Sequence, residues 1–210
     1  MALDVARMIG DAVLSLSKNK SISRITVKDI QDETGFSRQT FYNHFKDMED
    51  LLQYIYRERI VIHWDPEDPG LDFCEYLIRD LSMTREYRQF LKNALRIQGQ
   101  NSLREYMIDY CIQFDLQWMR TFYGAELPDR IVRTVIYQST GSMELKIQWL
   151  LGELECSLYE LAESIINNRS TGLGPLIWPG AADTPYTRAA AKIADIKAGL
   201  VRTEVDIKMR

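Results

Sequence analysis

Apolar residues recur at three- and four-residue spacing along almost the whole of this chain, and breakers are scarce. There are six prolines and 11 glycines in 210 residues, and the first proline is Pro66. That period lines one face of an α-helix, whereas a half-buried strand needs strict alternation, of which there is little. The expected fold class is all-α. With 46% hydrophobic and 27% charged residues, the composition is that of a globular chain with a packed core. No apolar run approaches the roughly 20 residues that span a bilayer. The start, Met1-Ala2-Leu3-Asp4, lacks the basic-then-apolar order of a secretory signal. A cytoplasmic location with no membrane partner is expected.

Local signals place the helices. The first runs from Leu3 to Ser17, with Val5, Met8, Ile9, Ala12, Val13 and Leu16 on one face. Thr26 is a good N-cap for Val27 to Glu33, helped by Asp29 at the positive helix end. Gly35 follows where a tight turn needs positive φ. Ser37 caps a second short helix through Asn43, and Asp47 caps a longer one from Met48 to His63. Two prolines and a glycine within Trp64–Gly70 then mark a linker. Further helical patterns cover 71–83, 86–98, 101–123, 129–151 and 156–168, closed by Gly172, Gly174 and Pro175. A weak apolar stripe at Ala189, Ile193, Ile196 and Leu200 suits one more helix, docked or mobile. The domains expected are 1–47 and 65–175, joined by helix 48–64, with 176–210 as a tail.

The net charge of −4 argues against a protein that coats nucleic acid indiscriminately. It is unevenly spread. Residues 1–60 are neutral overall, and the other 150 carry the whole excess of acid. Within 18–46 the balance is +3, and Thr34 to Lys46 contains no acid at all. Two short helices across a glycine, the second headed by Ser37-Arg38-Gln39-Thr40, form a helix-turn-helix pattern. Those four residues suit base edges in a major groove. Phe36, Phe41 and Phe45 face the other way as anchors, and Tyr42, His44 and Lys46 suit phosphates. The amides heading the helix after Thr26 could hold a phosphate, which Asp47 would repel at the helix it caps.

Residues 9–55 resemble the DNA-binding domain of the TetR family of transcriptional regulators. The resemblance rests on Ile25-Thr26-Val27-Lys28-Asp29-Ile30, then Thr34-Gly35-Phe36-Ser37-Arg38-Gln39-Thr40-Phe41-Tyr42-Asn43-His44-Phe45-Lys46-Asp47, and Leu51-Leu52. It implies that Thr26, Ser37, Arg38, Gln39, Thr40, Tyr42, Asn43, His44 and Lys46 lie at or near double-stranded operator DNA; Lys28, in the same basic window, joins the set. Where the family usually carries a lysine at the start of the fourth helix, this chain has Met48, which removes about one phosphate contact.

The resemblance also implies a helical C-terminal domain that dimerises and often encloses a small-molecule pocket. Residues expected at a homodimer interface are Ser142, Leu145, Trp149, Leu158, Leu161 and Ile165. Met107, Tyr110, Cys111, Phe114, Trp118 and Tyr137 are the candidates to line a pocket for an unknown small-molecule effector, although such stripes more often form core. No buried charge that would name a ligand's polarity is visible. Cys74, Cys111 and Cys156 form no pair with metal-site spacing and read as buried hydrophobes. His63, Asp65, Glu67 and Asp68 have metal-binding chemistry but read as a solvated junction. No catalytic, metal or cofactor residues are expected. The function expected is a ligand-responsive, DNA-binding transcriptional repressor acting as a homodimer. The alternatives are a TetR-like coactivator or protein-interaction module with secondary DNA contact, and an all-α enzyme.

Overall fold

A computed structural model describes residues 4–62, 72–97 and 102–203, and every regular element among them is helical. The Trp64–Gly70 linker and the acidic cluster with His63 fall outside the described residues. The chain divides into two compact units. One comprises Met1–Val61 and Glu86–Tyr106, the other Ile62–Arg85 and Met107–Arg210.

In the first unit, Asp4 caps α1 (Val5–Leu16) by accepting from the Arg7 amide at 3.0 Å. The expected inward face holds at Ile9, Ala12 and Val13, but Met8 is 39% exposed. A 3-10 turn at Ile22–Arg24 precedes α2 (Val27–Thr34), which ends at Gly35 with φ 74°. That left-handed residue turns the chain into α3 (Arg38–His44), capped by Ser37. Asp47 caps α4 (Met48–Ile55), which opens into a π-turn over Tyr56–Ile60. The single helix expected from Met48 to His63 is therefore shorter and changes its hydrogen-bond register. Its apolar residues stay inward nonetheless, since Leu51, Leu52, Ile55, Tyr56 and Ile60 are all buried. After α5 (Phe73–Glu86) in the chain, α6 (Arg88–Ala94) packs against the 3-10 turn with Phe90, Leu91 and Ala94 buried.

The second unit takes most of α5 and of α7 (Leu103–Tyr123), then α8 (Asp129–Leu151), α9 (Leu158–Gly172), the one-turn α10 (Gly174–Ile177) and α11 (Pro185–Lys197). Gly172 closes α9 rather than a loop: a Cβ there would run into the side-chain amide of Gln138, so α8 and α9 approach closely. The open question of the tail is resolved by α11, which docks on α9. Ala189, Ile193 and Ile196 are buried as the stripe required, while Leu200, beyond the helix end, is 75% exposed. Aromatic rings of Phe73, Trp118, Trp178 and Tyr186 meet at centroid distances of 5.3–5.9 Å.

Charge that is not visible in the sequence is buried in this unit. Arg169 on α9 donates through both terminal nitrogens to Asp115 on α7, at 2.9 and 2.7 Å, and Ser139 on α8 donates to the same carboxylate at 2.5 Å. Burial alone would lower the Arg169 pKa, but the facing Asp115 holds it well above the ordinary value. Lys146 on α8 donates to Asp80 on α5 at 2.6 Å. No helix among the described residues is long and apolar enough to cross a membrane.

Candidate nucleic-acid interface

The candidate surface is built on α3. Phe41 and Phe45 are buried, their rings 5.8 Å apart, and Phe45 meets Tyr54 of α4 edge-on at 5.2 Å. This anchors α3 to its neighbours by one face. Phe36, expected as a third anchor, is only half-buried because it lies in the turn before the helix. On the other face Arg38, Gln39, Tyr42, Asn43 and His44 are exposed, and no acid lies on the helix. Tyr42, at 45% exposure, is a large ring left in solvent.

These exposed side chains are already paired along the helix. The Arg38 Nη2 donates to the Tyr42 hydroxyl at 3.4 Å, with the guanidinium 5.6 Å from the ring centroid. Gln39 Nε2 donates to Asn43 Oδ1 at 3.0 Å. Both are i, i+4 pairs, whose spacing brings side chains onto one face. That spacing is the signal for these pairs in the sequence. Ser37 and Thr40 are committed locally: the Thr40 amide donates to Ser37 Oγ at 3.1 Å, and the two hydroxyls share a hydrogen bond at 2.9 Å. The Lys46 backbone amide donates to Asp50 at 3.0 Å, leaving its exposed side chain beyond α3.

The head of α2 is capped from within the chain. Thr26 forms a capping box with Asp29, whose Oδ2 accepts from the Thr26 amide at 2.7 Å, the Thr26 hydroxyl at 2.8 Å and Lys20 Nζ at 2.6 Å. Lys20, the two Thr26 donors and their hydrogen bonds hold the Asp29 carboxyl down at about 2. The Asp29 amide in turn donates to the Thr26 Oγ1 at 3.3 Å, which completes the cap. Lys28 is exposed within this first turn.

The C-terminal candidates fall in two places. Met107 and Trp118 are buried, Trp118 stacking on Phe73 at 5.8 Å, and half-buried Phe114 stacks on Tyr76 at 5.4 Å. Tyr110 is also half-buried on α7. Cys111 Sγ donates to Asp115 at 3.8 Å, and burial pushes its thiol up to about 12, as it does that of Cys74. Tyr137, by contrast, is 77% exposed on α8. It lines an open groove of about 710 Å³ together with Ile136, Gly141, Ser142, Leu145 and Ile165. Three of the six residues expected at a dimer interface therefore line one surface groove. Of all six, only Leu145 is not buried: Ser142, Leu158, Leu161 and Ile165 are buried, and buried Trp149 donates from Nε1 to the Cys156 carbonyl at 3.0 Å.

Taken from the residues up, α2, the Gly35 turn and α3 form a helix-turn-helix whose second helix offers an acid-free polar face. Residues 10–55 match the model of the bacterial regulatory proteins of the tetR family. The chain is also similar to the HTH-type dhaKLM operon transcriptional activator DhaS of Lactococcus lactis subsp. lactis (strain IL1403). The two are 29% identical over 117 residues, 53% of this chain and 55% of that relative. The chain thus spans about half the length of the curated relative it matches.

Proposed function

We propose that this protein is a sequence-specific, DNA-binding transcriptional regulator that acts as a homodimer. The observation that carries the reading is the outward face of α3. Arg38, Gln39, Tyr42, Asn43 and His44 stand exposed on a helix held from behind by Phe41 and Phe45, and no acid lies from Thr34 to Lys46. A merely structural helix would have no reason to exclude acids from its solvent side. One recognition helix reads few base pairs, so two copies spaced by about 34–36 Å, or a multiple, supply an operator's worth of contact. The groove along α8 and α9, with Ile136 42% and Tyr137 77% exposed beside Gly141, supports self-association through that surface.

Regulation is read as a population shift: an effector or partner favours a dimer whose α3 helices no longer match the half-sites. Repression is the first reading of the outcome. Activation is the second, favoured by the similarity to a protein named as a transcriptional activator. Nuclease footprinting of the DNA upstream of its own gene tests DNA binding, and a reporter on the protected segment gives the sign. Arg38→Ala and Tyr42→Ala are each expected to abolish protection while leaving the circular dichroism spectrum unchanged. Full protection by both variants would sink the assignment.

A further inference from the structure

The exposed face of α3 holds two side-chain pairs, and they are not equivalent. At roughly 100° per residue, Gln39 and Asn43 both lie roughly 160° from Phe41, on the line most directly opposed to the core. Arg38 and Tyr42 lie to one side, roughly 60° and 100° from Phe41. A helix that enters a major groove with Phe41 inward therefore brings the amide pair to the base edges and turns the Arg38–Tyr42 pair toward one wall.

Two carboxamides joined by one hydrogen bond leave a defined remainder. With Gln39 Nε2 donating to Asn43 Oδ1 at 3.0 Å, Gln39 keeps a free carbonyl oxygen and Asn43 keeps a free NH2 group. Were the bond reversed, the two functions would exchange owners and the pair would still present one acceptor beside one donor. Adenine offers the complement in the major groove, an N7 acceptor beside the N6 amine. Guanine offers two acceptors, so O6 would face the free carbonyl oxygen; cytosine offers the N4 donor, and thymine offers O4 beside a methyl group. Pairing before contact also reduces the side-chain freedom lost on binding.

We infer that the Gln39–Asn43 amide pair is the base-reading element of α3 and takes one adenine in each operator half-site. This rests on the DNA-binding reading above. Duplexes selected from a randomised library by the full chain, then titrated by fluorescence anisotropy, test it. The expected half-site contains one A·T pair at which adenine-to-guanine exchange weakens binding about tenfold or more. 7-Deazaadenine, lacking the N7 acceptor, and purine, lacking the N6 amine, each weaken binding at that position. In Gln39→Ala and in Asn43→Ala the discrimination there falls to within about threefold, the scale left when a bidentate contact is lost, while other positions keep their preferences. A selected half-site without such an adenine, or one whose adenine preference survives in both variants, overturns the inference and leaves the DNA-binding reading standing. Failure to select any preferred duplex overturns both.

Discussion

Asp29 accepts from three donors at once at the head of α2. Lys20, nine residues earlier, reaches it at 2.6 Å, and Thr26 supplies both its amide and its hydroxyl. The folded carboxyl titrates at about 2 against an ordinary 3.8, chiefly through the Lys20 hydrogen bond. A depressed carboxylate contributes stability that is fully present above its ordinary value and is lost as pH falls through its folded one. The contribution of Asp29 is therefore expected to persist down to about pH 4 and to vanish by about pH 2. Carbon-13 NMR titration of the side-chain carboxyl should show the low midpoint, and Lys20→Ala should move it up toward 3.8. A midpoint unmoved by that substitution would assign the shift to the capping box instead. Thr26 and Asp29 were legible in the sequence as a cap, because capping is a matter of three-residue spacing. Lys20 was not, since only the bend through Ile22–Arg24 carries it back to α2.

At the scale of elements, the periodicity of α7, α8 and α9 marks their apolar stripes without revealing what flanks them. Asp115, Ser139 and Arg169 each lie within an otherwise ordinary amphipathic helix, and only the convergence of three helices makes them one buried cluster. Such a cluster is a poor contributor to net stability and a severe liability when broken, because a lone buried charge keeps its desolvation cost. Asp115→Ala is expected to destabilise the protein by about 3–5 kcal/mol in urea unfolding. Adding Arg169→Met to it should recover part of that loss, as no charge is then left unpaired. Additive losses in the double variant would show that the two residues act independently. The elements of the helix-turn-helix were legible for the opposite reason: caps, a glycine turn and aromatic anchors are all local signals.

For the molecule as a whole, the proposed homodimer turns on a surface that a single chain leaves open. Ile136 and Tyr137 are the exposed apolar residues of α8, and Ser142, Leu145 and Ile165 line the same groove. Across a two-fold axis each residue meets its own surroundings again, so an introduced acid would be set near its copy. The Ile136→Glu, Tyr137→Glu variant is expected to weaken dimerisation about a hundredfold or more. Light scattering after size exclusion should then give the mass of one chain, with unchanged helicity. A dimer of undiminished stability in that variant would exclude this surface as the interface.

The sequence by itself determined the all-helical class, the caps and turn of the helix-turn-helix, and the acid-free outward face of α3. These depend on neighbours within about one helical turn, where spacing dictates contact. Tertiary structure alone decided which charges are buried, that α11 docks on α9, and that Trp149, Leu158, Leu161 and Ile165 are buried within one chain. Each of these depends on which flank of an amphipathic helix meets another element, and a 3.6-residue period is blind to that choice.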